Sequence, residues 1–518
     1  MIINSMHTNP RDEDQIYDVL IVGYGPVGAT LANLLGQDGH RVAVADTHRD
    51  VFDKPRAVNL DHEALRLFQR INLAEQISDG SVLHPGTEYR GVDGELIKTM
   101  SSAPPPYPLS WPPNVMFIQP EAERKLRSRV ETLPTVDVFL EHQAIAFEQT
   151  NERVSATFDT PTGPKSLRAG YLIGCDGANG PTREWMNATQ TDLGFSEHWV
   201  VVDARVTRDT PLPSLTTQYC FPDGPTTYVI CSGDLRRWEM RILPHENIDD
   251  YRDLDKIKAR LAPFVDVGAL EFWRNSVYHF HACVADVWRD RRVFLAGDAA
   301  HTMPPFFAQG LNSGLRDAAN LFWKLSFVLD GKADDSLLDT YQSERRPHIL
   351  VLTEIAKDLG KIVGETDTEK ANKRDALLRN EMEKNDRVIN RQSLVPPISE
   401  GFLDRQGGEL SGTLAPQPRV LKDGKVFLLD DLLSGFSMVE PGESEVALRV
   451  TNDLETDNPK NFDCQDTESL LTQSMQDQGL TMMIIRPDGV VWTAGTDPAE
   501  AINRLQTAIS LPILGRCP

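Results

Sequence analysis

Apolar positions recur along this chain in three rhythms, and each predicts a different kind of element. Nearly continuous apolar runs, Tyr17 to Val22, Tyr171 to Ile173 and Val293 to Ala296, read as strands buried on both faces. Between Trp199 and Val284 apolar and polar positions alternate, with aromatic and basic side chains interleaved, which predicts a separate antiparallel sheet. Helical spacing follows Gly28 through Leu35, runs from Asp61 to Arg70, begins again at Gln119, and restarts near Leu311 to continue to about Gly360. Short β-like runs at 136–140, 144–147, 154–158 and 166–169 lie between these helices, and a charged helical stretch at 368–391 reads as a linker or solvated face. From about Gly408 a compact α/β pattern resumes, with strand candidates at 426–429, 446–450, 482–485 and 490–493, as in a self-contained terminal domain.

These rhythms divide the chain into a flexible arm (1–15), a two-part α/β unit (16–188 and 284–362), a sheet unit (189–283), a helical linker (363–407) and a terminal unit (408–518). Length adds that 518 residues suffice for about three domains with sizeable cores. A net charge of −23 repels phosphate backbones and anionic membrane surfaces, so no nucleic-acid partner is expected. The most membrane-like stretch, Val19 to Leu35, is broken by Gly23, Gly25, Pro26, Gly28 and Asn33, and no span is expected there. Six scattered cysteines without Cys-x-x-Cys spacing read as reduced thiols of a cytoplasmic protein, with no metal site.

Chemistry concentrates where apolar strands end. Tyr17 to Val22 runs into Gly23-Tyr24-Gly25-Pro26-Val27-Gly28 and then a helix, which is the dinucleotide fingerprint in its required strand-to-helix setting. The first glycine permits the turn, the second admits a pyrophosphate, and the third lets helix and strand approach. Asp46, at the end of the next strand, stands where a carboxylate bonds ribose hydroxyls. NAD and FAD satisfy this motif equally. Two further strands end in Asp176-Gly177 and Gly297-Asp298, and after the second a helix begins at Gly310, Leu311 and Asn312, whose unpaired N–H groups favour negative charge.

The order of these three motifs resembles that of single-component FAD-dependent aromatic hydroxylases. The likeness is closest to the phenolic-acid branch that acts on 3-(3-hydroxyphenyl)propionate, through PRAVNLDHEALRLFQ, LRRWEMRILP, VWRDRRVFLAGDAAH, GLNSGLRDAANLFWKL and YQSERRPH. It implies a Rossmann-like FAD-binding domain, an antiparallel-sheet substrate domain, and a C-terminal thioredoxin-like domain without CxxC whose role is packing or oligomerisation. FAD would be the cofactor, NADH or NADPH the reductant, O2 the co-substrate and a phenolic ring the oxygen acceptor, with a homodimer among the allowed assemblies. Asp46 would hold the adenosine ribose, Arg56 and Gln119 the flavin or its phosphates, and Asp298 a ribityl hydroxyl. Asp176 would serve both FAD and the nicotinamide donor. The Gly310–Asn312 backbone would face the flavin pyrimidine edge, and Pro304 and Pro305 would line the reactive face.

A phenol needs help losing its proton, and Tyr278, His281 and Asp61 are candidates on chemistry alone. Arg236, Arg237 or Arg241 could grip a substrate carboxylate. Two departures from the resembled pattern are expected to alter local geometry: Phe306-Phe307-Ala308-Gln309-Gly310 replaces a Gly-Gln-Gly approach to the helix, and Gly180 stands where serine is common. Rival readings are an NAD-dependent dehydrogenase, which leaves Gly297-Asp298 without a task, and a non-catalytic flavin-binding scaffold.

Overall fold

A computed structural model describes residues 16–384 and 389–510. The arm at 1–15 and Cys517 therefore lie outside the described residues; the five described cysteines are free. The apolar runs form the centre of an eight-stranded sheet, where Val293–Leu295, Lys165–Gly174, Ile16–Val22, Val42–Asp46 and Val136–Leu140 lie side by side in parallel. Val19, Leu20, Ile21, Leu172, Ile173 and Phe294 are fully buried. That is the reason their runs do not alternate: both faces of a parallel sheet are covered by crossover helices.

Helices Pro26–Gln37 and Gly310–Leu329 pack against each other over this sheet. Their approach demands small residues: a Cβ on Gly314 would sit 2.7 Å from the Val27 side chain and 3.1 Å from the Gly297 Cα. Helix Pro26–Gln37 extends past the expected Leu35, and Asp61 proves to be the N-cap of helix His62–Arg70, accepting from the Ala64 N–H.

The alternating region forms a nine-stranded sheet around two long antiparallel strands, Gln190–Val206 and Leu270–Ala285. This sheet also takes in Thr87–Arg90, Leu96–Ser101, His301–Thr302 and Ile389–Asn390, so the interval 189–283 supplies most of it but not all. The charged stretch at 368–391 is helical from Thr368 to Lys384 and is docked rather than solvated: Asp375 accepts from the Val92 N–H, and Arg374 donates to the Cys220 and Ile362 carbonyls. Charge patterning alone cannot register such backbone partners. Among the described residues no helix is long and apolar enough to cross a membrane.

The terminal unit is a seven-stranded sheet whose pairings are all antiparallel, with helices Leu470–Asp477 and Pro498–Ser510. Buried charge joins it to the rest of the chain. Arg486 donates to Glu344 (2.8 Å) and Asp488 (2.6 Å), Lys324 reaches Glu344 at 3.0 Å, and Arg66 grips Asp430 through two nitrogens. The two cations hold the Glu344 carboxyl down at about 2 despite its burial, whereas burial outweighs attraction for Lys324 and brings it to about 8, still protonated at neutral pH. Replacing Arg486 by methionine leaves two buried carboxylates short of their cation. It should cost about 3 to 5 kcal/mol of unfolding free energy, read as a lowered urea midpoint; an unchanged midpoint would show that the terminal unit is docked by other contacts.

Candidate functional site

Three strand ends meet at one rim of the parallel sheet, after Val22, Gly174 and Leu295. At the first, Gly23 has φ +103°, and a Cβ there would lie 2.3 Å from the Cys175 carbonyl oxygen. A Cβ on Gly28 would lie 2.0 Å from the Gly23 oxygen, while one on Gly25 would meet nothing within 4 Å. The first and third glycines are thus forced by protein packing. The second faces open space in front of the helix at Pro26, whose first turn carries no acid and no side-chain cap. This cradle is shaped for a phosphate group at a helix N-terminus.

Carboxylates surround the cradle. Asp46 accepts one backbone N–H on each oxygen, Tyr24 at 2.7 Å and His48 at 2.7 Å, so each oxygen keeps a lone pair for a hydroxyl. Asp176 accepts the Thr182 N–H (2.9 Å) and Oγ1–H (2.6 Å) through one oxygen, and its other oxygen is buried without a partner. Burial raises its carboxyl pKa above the ordinary range. This inward turn explains the departure at 180: a Cβ on Gly180 would lie 2.1 Å from the Asp176 carboxyl carbon. Gln119 Oε1 accepts the Ala57 N–H at 2.7 Å and so fixes the loop carrying Arg56. Arg56 is exposed, with its guanidinium over the Phe52 ring.

At the third strand end, Gly297 (φ +63°) turns the chain so that its N–H donates to Asp317 (3.1 Å) and Asp298 is left exposed. The Asp298 carboxylate has no hydrogen-bond partner among the described residues. It is open to water yet ringed by protein, and the loss of bulk solvent raises its pKa, offset in part by His301 and Arg56. Facing it, helix Gly310–Leu329 begins with no acid in its first turn. Its ladder starts with Ser313 N–H to Gln309 O, leaving the N–H groups of Gly310, Leu311 and Asn312 ahead of it.

Side chains lock that helix start. Asn312 donates to the Ala308 carbonyl (2.9 Å) and accepts the Asp61 N–H (3.1 Å). Arg316 donates to Gln309 (2.8 Å), Glu63 (2.7 Å) and Asp61. Asp61 is therefore buried, capping one helix and neutralising a cation on another, a positioning task rather than that of a free proton acceptor. Pro305 opens a single 3-10 turn, Pro305–Phe307, which ends at Ala308 in the left-handed region (φ +47°). The expected change in this loop is thus a left-handed residue without glycine, with Phe306 and Phe307 buried beneath it.

On the nine-stranded sheet, Tyr278 and His281 fall on opposite faces, since an odd number of positions separates them in an unbulged stretch. Tyr278 pairs with Trp199 and lies under the Arg274 guanidinium (4.9 Å), on the face termed the inner face. His281 lies on the outer face with His279 (5.4 Å). The three arginines are occupied: Arg237 with Asp203 and the Pro55 and Arg56 carbonyls, Arg241 with Glu197 and the Gly364 carbonyl, and Arg236 with the Gly233 and Leu235 carbonyls.

Sequence reasoning missed two features. One is the buried cluster of Asp317, His301 and Arg345 behind the Gly297 turn, whose members are far apart in sequence. The other is Arg391, the one buried Lys or Arg without a carboxylate partner among the described residues; it donates to the Phe307 carbonyl and stacks on that ring (5.2 Å). It had been absorbed into the charged linker. A cavity of about 350 Å³ lies elsewhere, between helices His62–Arg70 and Gly310–Leu329 and the terminal unit. Arg66 with Asp430 and Arg316 with Glu63 already pair across its walls, as at a domain junction.

The chain belongs to the FAD binding domain family, whose model matches residues 16–356 and so spans the cradle, the carboxylates around it and the helix start. It is 34% identical over 507 residues to a probable NADH-specific resorcinol 4-hydroxylase of Rhodococcus jostii, with 93% of each chain covered. It is 36% identical over 447 residues to a 3-(3-hydroxy-phenyl)propionate/3-hydroxycinnamic acid hydroxylase of Mycolicibacterium gilvum, covering 82% of this chain and 75% of that one. Among solved structures, p-nitrophenol 4-monooxygenase from Pseudomonas putida matches with TM-score 0.64 and 26% identity over 73% of this chain and 96% of that chain. Aklavinone-11 hydroxylase shares the fold over 96% of this chain and 98% of that chain (TM-score 0.75, 22% identity).

Asp298→Ala should raise the FAD dissociation constant by roughly 10- to 100-fold, since a hydrogen bond to a charged group is worth about 1.5 to 3 kcal/mol. Fluorescence titration of the apoprotein reads this directly, and unchanged affinity would remove Asp298 from the site. At Ala308, valine should lower stability by more than about 1 kcal/mol, because a β-branched residue resists the left-handed region, while glycine should be tolerated. Equal melting temperatures for the two variants would contradict that conformation.

Proposed function

We propose that this protein is an NAD(P)H-dependent FAD monooxygenase that hydroxylates a phenolic ring. The observation that carries the reading is the convergence, at one sheet rim, of an open phosphate cradle at Gly25, an unpartnered carboxylate at Asp298 and unbonded N–H groups at Gly310, Leu311 and Asn312. A dehydrogenase would use the first of these and leave the others idle. When bound, FAD would supply the two-electron chemistry that takes reducing equivalents from a nicotinamide and activates O2.

The chain's own residues would do the rest. Gly23, Gly25, Gly28 and the following helix receive phosphate, Asp46 and Asp298 accept hydroxyls, and Arg56 offers an exposed cation. The Gly310–Asn312 N–H groups are fixed dipoles, ready to stabilise negative charge on the pyrimidine edge without rearranging. Phe306 lies edge-on to Trp199 (5.2 Å) and Phe195 (6.0 Å), and this aromatic wall excludes water from the reacting ring. Of the three candidates, Tyr278, on the face that carries Trp199 and Arg274, would share the phenol proton.

The relative's name supports NADH as reductant, and the free cysteines support a cytoplasmic location. The terminal unit is read as a thioredoxin-like appendage without redox chemistry; the lack of Cys-x-x-Cys and the buried ion pairs at its junction support a packing role. The test is NADH and NADPH oxidation by the FAD-loaded protein across a panel of resorcinol, 3-(3-hydroxyphenyl)propanoate and simple hydroxybenzoates, with products identified by mass. Phenol-stimulated oxidation with a product heavier by one oxygen is expected. If FAD binds and no phenol gains oxygen, the hydroxylase reading fails.

A further inference from the structure

Two sets of contacts anchor the inner face of the nine-stranded sheet. At one end Arg237 and Arg274 hold the Pro55 carbonyl, clamping the loop that carries Arg56. At the other end Phe306 packs on Trp199 and Phe280. Strand register places Glu239 between these anchors: it pairs with Val201, which is opposite Ser276, while its neighbours two positions away on the same strand, Arg237 and Arg241, belong to the two ends.

Glu239 is 7% exposed and makes no hydrogen bond among the described residues. Its nearest cation is Arg237 at 3.8 Å, and that guanidinium already spends two bonds on Asp203 (2.7 and 3.1 Å). A buried carboxylate without a donor is costly. Burial accordingly raises the carboxyl pKa, with Asp203 adding to the effect and Arg237 and Arg274 opposing it. Nothing in the loop clamp needs this group, since Asp203 alone bridges Arg237 and Arg274.

We propose that Glu239 accepts the hydrogen bond of a ring hydroxyl on the substrate and thereby selects uncharged hydroxylated rings over rings bearing a carboxylate. This rests on the hydroxylase reading above and deepens it. The charge count on the face supports the selection: Arg241 is matched by Glu197, and Arg237 and Arg274 by Asp203 and Glu239. A substrate carboxylate would meet a charge-balanced face that already carries a carboxylate. Arg391, held at Phe307, is the competing anchor for an acid.

The test is equilibrium binding of resorcinol and of 3-(3-hydroxyphenyl)propanoate to the FAD-loaded full-length protein, by calorimetry, alongside product formation. The wild type should bind resorcinol at least about 10-fold more tightly than the acid. Glu239→Gln should weaken resorcinol by roughly 10- to 100-fold and tighten the acid, with FAD content unchanged. Glu239→Leu, which removes the charge without requiring a partner, keeps the selectivity measurable should glutamine disturb folding. A purely structural role would shift both ligands together. A wild-type preference for the acid, or the same ratio of affinities in the variants, would overturn the inference. Binding with the expected selectivity but no oxygenated product would instead sink the hydroxylase reading and leave Glu239 as a ligand group.

Discussion

One buried carboxylate organises this site. Asp317 accepts the Gly297 N–H and His301 Nε2 (2.7 Å) on one oxygen and Arg345 Nε (2.9 Å) on the other, all with negligible exposure. His301 and Arg345 hold its carboxyl below the ordinary range even though burial pushes the other way. Gly297 ends a strand of the first sheet, His301 begins an edge strand of the second, Arg345 stands on helix Asp339–Gly364, and Asp317 itself is on helix Gly310–Leu329. A single charge network thus fixes the relation between the Asp298 carboxylate and the helix start that faces it. Removing one member would leave the others buried without their partner, so the precision of the cleft depends on every member being present.

The parts that could be read from sequence are those whose physics is local. Gly23, Gly25 and Gly28 announce themselves because a turn, an approach and a packing contact each need a missing side chain within six residues, and the structure shows the close contacts at Gly23 and Gly28 while Gly25 faces open space. The parallel strands were legible because burial on both faces suppresses alternation. Asp61 and Arg391 were not, because their meaning is set by partners far along the chain: Asp61 by Arg316, Arg391 by Phe307. Nothing in a local window separates a capping aspartate from a proton acceptor, or a linker arginine from one that returns to the core. Tyr278 and His281 show a middle case, in which strand alternation would have placed them on opposite faces had the strand been known to lack a bulge there.

Departures from the resembled pattern are coupled to compensations. Gly180 is small because Asp176 turns inward to bind Thr182, so the missing hydroxyl at 180 is replaced by one at 182. Ala308 adopts a left-handed conformation at a cost of about 1 to 2 kcal/mol, and it is held there by Asn312 on its carbonyl and by the two buried phenylalanines before it. Local strain is thus offset by packing in the loop that lies between the aromatic wall and the helix start.

The distribution of donors and acceptors around the cleft carries an argument of its own. Three carboxylates, Asp46, Asp176 and Asp298, converge on a protein that already carries a net charge of −23, and a ligand that was simply an anion would be repelled. A ligand presenting hydroxyls at its flanks and phosphate at its middle would not. In the proposed site hydroxyls would meet Asp46 on one side and Asp298 on the other, with phosphate at Gly25, where the helix offers N–H groups and no acid intervenes. Helix Gly310–Leu329 likewise opens with an acid-free first turn, which would favour negative charge on a bound ring. Carboxylates set on hydroxyls and helix ends set on charge would let one acidic protein hold an anionic dinucleotide.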